Sequence, residues 1–333
     1  MENNLLRILN NQSLDENTDQ LCDFTIEEQN QFSESQGIKP SVSTDYIPVL
    51  GKSVTYIVAV VIFNEKNELL LIQEAKKSCA GKWYLPAGRM ENKENIVEAA
   101  EREVLEETGL YVKISTLLAV ESACGSWFRF VLTGNVTGGK LKSPSEADTE
   151  SLQAKWIDNL NEVTLRSQDV LNIIELGRNY HNRSSDSTWH NLILPGIKSH
   201  KKNYLRLVIA VRKRSSPNRV NILVSEKNER HFPTTEIHPG KSLHSTLRKF
   251  MVELFGSEVP QHRLVGLLSV EHDASVLHND GICLTLLVVF KPTIEEVTFI
   301  GKCSWFELSQ DVSDKLSLIV VSKHSTFPLH VIR

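Results

Sequence analysis

The chain has 333 residues, 41% hydrophobic and 23% charged, which is the composition of an ordinary soluble globular protein with room for about two domains. Its formal net charge of −4 offers no broad basic surface to a nucleic-acid backbone, so no polymeric nucleic-acid partner is expected. No run of about eighteen apolar residues could span a membrane, and no basic segment followed by an apolar core suggests a secretory leader. The five cysteines (Cys22, Cys79, Cys124, Cys283, Cys303) are widely spaced and odd in number. They lie in no CxxC or Cys/His zinc spacing, so they are expected to be reduced thiols in the cytoplasm.

Residues 1–50 carry nine acidic residues against Arg7 and Lys39, and are rich in Asn, Gln and Ser. That balance buries little apolar surface and predicts a mostly disordered acidic tail, with at most one amphipathic turn around Leu5–Leu9. Order is expected from residue 51 onward. TYIVAVVIF reads as a buried strand, EKNE as a turn and LLLIQEA as a second strand. After the loop SCAGKWYLPAG comes GRMENKENIVEAAEREVLEETGL. From Asn95 to Thr108 it lacks Gly and Pro and is dominated by helix formers, and Gly109 stands where a C-terminal cap usually sits. Strands follow near Leu117–Glu121, at SWFRFVLTGNV and at Leu152–Ile157. A helix is expected around Ser167–Tyr180, then a polar linker over residues 182–199.

The helical segment places Gly88, Glu94, Arg102, Glu103, Val104, Glu106, Glu107, Gly109 and Leu110 in the pattern G-x5-E-x7-R-E-U-x-E-E-x-G-U, with U aliphatic. Glu103, Glu106 and Glu107 fall within about 100° of one another on the helix, while Val97, Ala100 and Val104 form an adjacent apolar stripe. Three carboxylates on one face repel one another, and a hard divalent ion relieves that repulsion. An isolated acidic run is usually a solvated face. Nine fixed positions at fixed spacing are a different matter. The segment resembles the metal-binding loop–helix–loop of the Nudix hydrolases, which cleave nucleoside diphosphates linked to another moiety.

The resemblance implies an α/β/α sandwich with a mixed sheet over residues 51–181, and Mg2+ or Mn2+ as cofactor. It implies Glu103 and Glu107 as metal ligands, then Glu106, with the Ala87 carbonyl as a further candidate and a Glu94–Arg102 pair bracing the helix. One of these glutamates, or a carboxylate of the loop Glu146–Glu150, would accept the proton of the attacking water. Leu70 and Phe130 are candidates for packing on a purine ring, although core packing explains either equally well; Trp83 and Trp127 are weaker candidates. The wider sequence, including WFRFVLTGNVTGGKL, SEADTESLQAKW and NDGICL, resembles the branch of the family that acts on oxidised purine nucleoside diphosphates. That implies 8-oxo-dGDP or 8-oxo-GDP as small-molecule substrate and a role in nucleotide-pool sanitation. Two other readings are a Nudix hydrolase for another substrate such as ADP-ribose, and a non-catalytic nucleotide-binding regulator.

The second half repeats the first. Phe232–Gly256 aligns without gaps under Leu85–Gly109, YLRLVIAV matches YIVAVVIF, NILVSE matches LLLIQE, and LLSVEH matches LLAVES. The acidic positions are lost: Gly88 becomes Thr235, Glu94 Lys241, Glu103 Phe250 and Glu107 Leu254, with only Glu253 kept opposite Glu106. Residues 200–333 are therefore expected to form a degenerate, non-catalytic Nudix-like domain. PGKS (Pro239–Ser242) lacks the first glycine of a phosphate-binding loop, and His231, His238 and His244 are expected on the surface.

Overall fold

A computed structural model describes residues 1–183, 192–276, 279–321 and 329–331. The acidic N-terminus is not a disordered tail. It forms helices α1 (Glu2–Leu9) and α2 (Ile26–Ser35), the latter closed by a Thr25/Glu28 capping box. Leu5, Ile8, Leu14, Phe24 and Ile26 are each at most 2% exposed, each such burial stabilising by about 1.5–3 kcal/mol. Composition misjudged the segment because its acids have partners elsewhere in the chain. Glu16 lies 3.1 Å from the fully buried Arg206, and Glu28 lies 2.7 Å from Lys227.

The first copy starts with β1 (Thr55–Val60), β2 (Leu69–Glu74), β3 (Trp83–Tyr84) and β4 (Ala87–Arg89). Helix α3 (Ile96–Thr108), β5 (Leu110–Cys124), β6 (Trp127–Gly139), β7 (Ser151–Ile157) and α4 (Leu171–His181) follow. β1 runs parallel to β6 and antiparallel to β4, and β5 pairs antiparallel with β6, giving a mixed sheet. β2 lies between β3 and β7 in a smaller antiparallel sheet. α4 packs directly on the strand layer: a Cβ on Gly177 would stand 2.4 Å from Val61 Cγ1.

The second copy runs β8 (Tyr204–Lys213), β9 (Ser216–Ser225), β10 (Thr234–Glu236), α5 (Leu243–Phe255), β11 (His262–His272), β12 (Ile282–Phe290), β13 (Cys303–Glu307) and α6 (Gln310–Val321). Its pairings reproduce the first: β8 is parallel to β12 and antiparallel to β10, β11 is antiparallel to β12, and β9 is antiparallel to β13. The register also corrects the strand match by one residue. Ile57 faces Arg89 as Tyr204 faces Glu236, and the gapless helix alignment makes Arg89 and Glu236 equivalent. Ile57, not Tyr56, is thus the counterpart of Tyr204.

The halves are not independent beads. One apolar core runs through both, from Val58 and Phe130 to Leu207 and Phe250, and includes Phe24. The final strand, β14 (Leu329–Val331), leaves the second copy and pairs in parallel with β5 of the first, so the boundary at residue 333 does not hold for the C-terminus. Of the expected linker, residues 184–191 lie outside the described residues. The rest is tied down, with Leu117 N–H donating to the Ile193 carbonyl at 2.7 Å and Gly196 N–H to the Val270 carbonyl at 2.7 Å. All five cysteines are free, and no helix among the described residues is long and apolar enough to cross a membrane.

Leu5→Ala should lower the stability of the folded chain by about 2–5 kcal/mol, the range for a buried large-to-small change. Urea unfolding followed by circular dichroism measures this; an unchanged midpoint would mean that α1 is not docked.

Candidate active site

Helix α3 is set by its own ends. The Asn95 side chain accepts the N–H groups of Val97 (3.0 Å) and Glu98 (2.9 Å), and Glu98 reaches back to the Asn95 N–H at 2.9 Å. Gly109 closes the helix at φ 74°, where a Cβ would also stand 2.3 Å from the Lys140 carbonyl. Ile96, Ala99, Ala100 and Val104 are fully buried against the sheet. This docking turns the acidic face toward β4.

Arg102 organises that face. Its guanidinium grips Glu94 through two bonds of 2.7 and 2.9 Å, and reaches Glu103 at 3.0 Å and Glu106 at 2.9 Å. It also donates to the Arg89 carbonyl at 3.1 Å. One planar cation thus ties the loop after β4 to two of the three glutamates, a geometry that suits arginine and not lysine.

Glu107 lies deeper, 2% exposed, and its Oε2 accepts the Ala87 N–H at 2.8 Å. Burial pushes its pKa up to about 8, opposed by the Ala87 hydrogen bond and reinforced by Glu103. Burial also raises Glu103, with Arg102 working against the rise. A Cβ on Gly88 would stand 2.0 Å from Glu103 Oε1, so the carboxylate would have to move to admit one. The carboxylate occupies the space a side chain would need.

Ala87, Gly88, Arg102, Glu103 and Glu106 form one wall of a cleft of about 770 Å3, and Glu107 lies behind that wall, outside the lining. The opposite wall holds residues the sequence reading missed: Tyr84, Arg129, Arg166 and Asp169. Arg129, 5% exposed, donates to the Tyr84 hydroxyl at 2.8 Å, lies 2.8 Å from Asp169 Oδ2, and pairs with Glu121. Arg166 sits over the Tyr84 ring at 4.7 Å and bonds Glu74 at 2.7 Å. The available signal was a charged residue in an otherwise apolar strand, Arg129 within WFRFVL.

Leu70 and Phe130 do not line this cleft. Both are fully buried in the main core, and Phe130 packs edge-on against Tyr56 at 5.9 Å between ring centres. Side chains alternate along a strand, so Phe128 and Phe130 enter the core while Arg129 between them faces the cleft. Trp127 lines the cleft, whereas Trp83 packs in a separate cluster with Leu71 and Leu85. Of the loop carboxylates, Glu146 bonds Ser143 and Asp148 pairs with Lys142 at 2.6 Å; Glu150 reaches the cleft.

Comparison with known proteins decides the family. The NUDIX domain profile matches residues 55–173. The chain is 42% identical over 246 residues to the human 8-oxo-dGDP phosphatase NUDT18, covering 72% of this chain and 73% of that protein. The mouse protein of that name is 36% identical over 296 residues, covering 84% and 88%. The zebrafish (Danio rerio) protein is 36% identical over 259 residues, covering 77% and 79%. The chain belongs to the Nudix hydrolase family.

Nudix hydrolases generally need divalent metal ions, and the residues here fit one. The donors are hard carboxylate oxygens, and the burial that raises Glu103 and Glu107 marks negative charge short of a positive partner. The corresponding helix of the second copy, α5, carries no such set, because Phe250 and Leu254 fill the positions of Glu103 and Glu107 and both are buried among apolar side chains.

Gly88→Ala should displace Glu103 and reduce kcat at least about thirtyfold while the fold persists, measured by phosphate release beside circular dichroism. Wild-type turnover in that variant would show that Glu103 tolerates displacement.

The metal-free protein should lose stability as pH rises from about 4.5 to about 8. Glu107 holds its proton up to about pH 8 when folded, against the ordinary 4.5 when unfolded. In that window the native state binds the extra proton, so raising the pH favours unfolding. Melting scans should show this decline, its flattening in Glu107→Gln, and stabilisation by Mg2+ that is greater at pH 8 than at pH 5. A Glu107→Gln profile parallel to the wild type would assign the slope to other groups.

Proposed function

We propose that this Nudix hydrolase cleaves oxidised purine nucleoside diphosphates, 8-oxo-dGDP and 8-oxo-GDP, to the monophosphate and inorganic phosphate. The reading is carried by 42% identity, over about three quarters of both chains, to a protein named for the first of these activities. Mg2+ or Mn2+ would be held by Glu103, Glu107 and Glu106, with the Ala87 carbonyl as a further ligand. When bound, the ion neutralises diphosphate oxygens and makes water a better nucleophile. Arg102 fixes the Glu103 and Glu106 carboxylates toward the cleft, and its bidentate grip on Glu94 keeps the loop after β4 in place. Glu150, which lines the cleft near enough to Glu103 to raise its pKa, would take the proton of the attacking water.

The opposite wall suits the base. An 8-oxopurine differs from guanine in having an N–H donor at N7 and a carbonyl at C8. Asp169 offers an acceptor for the first, Arg129 donors for the second, and Trp127 an aromatic face. The substrate is a small nucleotide, and a cytoplasmic location with reduced cysteines accords with a role in cleansing the nucleotide pool.

The test is a phosphate-release panel over nucleoside diphosphates, triphosphates and ADP-ribose. 8-oxo-dGDP should give the highest kcat/KM, and Glu107→Gln should cut kcat at least about a hundredfold with the fold intact. ADP-ribose or an unmodified nucleotide as the best substrate would move the assignment within the family. Near wild-type turnover of Glu107→Gln at saturating Mg2+ would remove Glu107 from the site.

A further inference from the structure

Where the first copy holds its glutamates, the second copy keeps a smaller cleft of about 280 Å3 beside Phe250 and Leu254, and the chain's own N-terminal segment packs there as one of its walls. Strand registers and the gapless helix alignment fix the correspondence. Ile57, Tyr84, Gly88, Glu103 and Arg129 answer to Tyr204, His231, Thr235, Phe250 and Cys283. Every one of these counterparts meets residues 19–24. The Tyr204 hydroxyl donates to Asp19 at 2.7 Å, and His231 Nε2 lies 3.1 Å from Asp23 Oδ2. Thr235 forms a parallel bridge with Phe24, and its hydroxyl donates to the Phe24 carbonyl at 2.9 Å. The Phe250 ring stacks on Phe24, with centres 6.2 Å apart and planes at 11°. Cys283 packs with Cys22 and Tyr204.

The contacts have the character of a ligand site. The Asp23 carboxylate receives the Thr234 N–H at 2.8 Å, the Ser225 hydroxyl and the His231 ring. Lys227 donates to the Asp23 carbonyl at 2.8 Å and to Glu28 at 2.7 Å. His231 is 1% exposed and His238 4%, so neither is the surface residue that the sequence suggested. Main-chain bonds run from Asp23 N–H to the Thr234 carbonyl (2.7 Å) and from Glu236 N–H to the Phe24 carbonyl (3.1 Å). That is how an extended peptide adds to a strand edge. A glutamate in place of Phe250 would have to be buried beside this acidic segment, at a cost that an aromatic ring avoids.

We propose that the second copy's cleft has become a peptide-binding site whose ligand, in place of a nucleotide, is the acidic-aromatic stretch Asp19–Phe24 of the same chain. Asp23 supplies the anion and Phe24 the ring. Beyond the cleft the segment passes Lys202, which donates to the carbonyls of Thr44 and Tyr46, and Leu50, whose N–H bonds Asp280 at 2.9 Å, before entering β1. Occupancy therefore anchors the first catalytic strand to the second copy.

A protease site at the exposed Ile38, cut after the full chain has folded, breaks the covalent link to residues 1–38 while their docked contacts remain. A labelled synthetic peptide of residues 1–38 should then exchange into the cut protein. Because α1 docks as well, the cleft is read from competitors. A peptide with Asp23→Ala and Phe24→Ala should compete at least about tenfold more weakly than one with Glu27→Ala at an exposed position. Millimolar inorganic pyrophosphate should leave the fragment bound. Equal competition by the two peptides, or release by pyrophosphate, would overturn the assignment. If the cut fragment stays without exchanging, amide exchange at Thr234 and Glu236 decides. The full chain with Asp23→Ala and Phe24→Ala should lose at least about tenfold protection there, and unchanged protection would overturn the proposal.

Discussion

Two carboxylates held in a nearly dry place on one helix face, Glu103 and Glu107, are the constraint around which the catalytic copy is arranged. Burial disfavours their charge, and their proximity disfavours it further. Arg102 offsets part of the cost by gripping Glu94, Glu103 and Glu106 together. The Ala87 N–H offsets another part. What is left uncompensated is negative charge that a divalent cation would offset. Gly88 fits the same constraint, since a Cβ there would displace the Glu103 carboxylate.

The second copy shows the fold released from that demand. With Phe250 and Leu254 at the acidic positions, the helix buries apolar surface where its counterpart buries charge. The strand pairings survive, because they depend on main-chain bonds and apolar cores and not on the acids. The charges of this half sit on a different axis. Arg206 and Glu271 are both buried and pair with each other, with Glu16 and His200 completing the set. Buried charges are tolerated only when paired, which makes the acidic N-terminus part of this copy's folded state.

The two copies also meet physically near the catalytic cleft. The Tyr56 hydroxyl donates to Asn203 at 2.9 Å and to the Asp280 carbonyl at 2.8 Å. Gly125 N–H donates to the Lys241 carbonyl at 2.9 Å, and a Cβ on Gly125 would collide with the His238 carbonyl at 2.3 Å. The turn between β5 and β6 carries Trp127 into the cleft, so the second copy supports one rim of the candidate active site through backbone contacts.

The sequence by itself determined the catalytic helix, its caps, the identity and spacing of its acids, and the duplication with loss of acids. All of these are local: they depend on residues within a few turns of one another or on a repeated pattern. What tertiary structure decided is which residues meet across the chain. Leu70 and Phe130 look like binding residues in a list and are core in space, because strand alternation sends Arg129, not its neighbours, to the cleft. Arg129, Asp169 and Tyr84 converge from three separate elements, and no spacing encodes that meeting. The one-residue strand shift between the copies appears only in the register of hydrogen bonds. The N-terminus looked disordered for the same reason: its nine acids outnumber the two basic residues of the segment, and Glu16, Glu28 and Asp23 find partners in Arg206, Lys227 and His231, about two hundred residues further along.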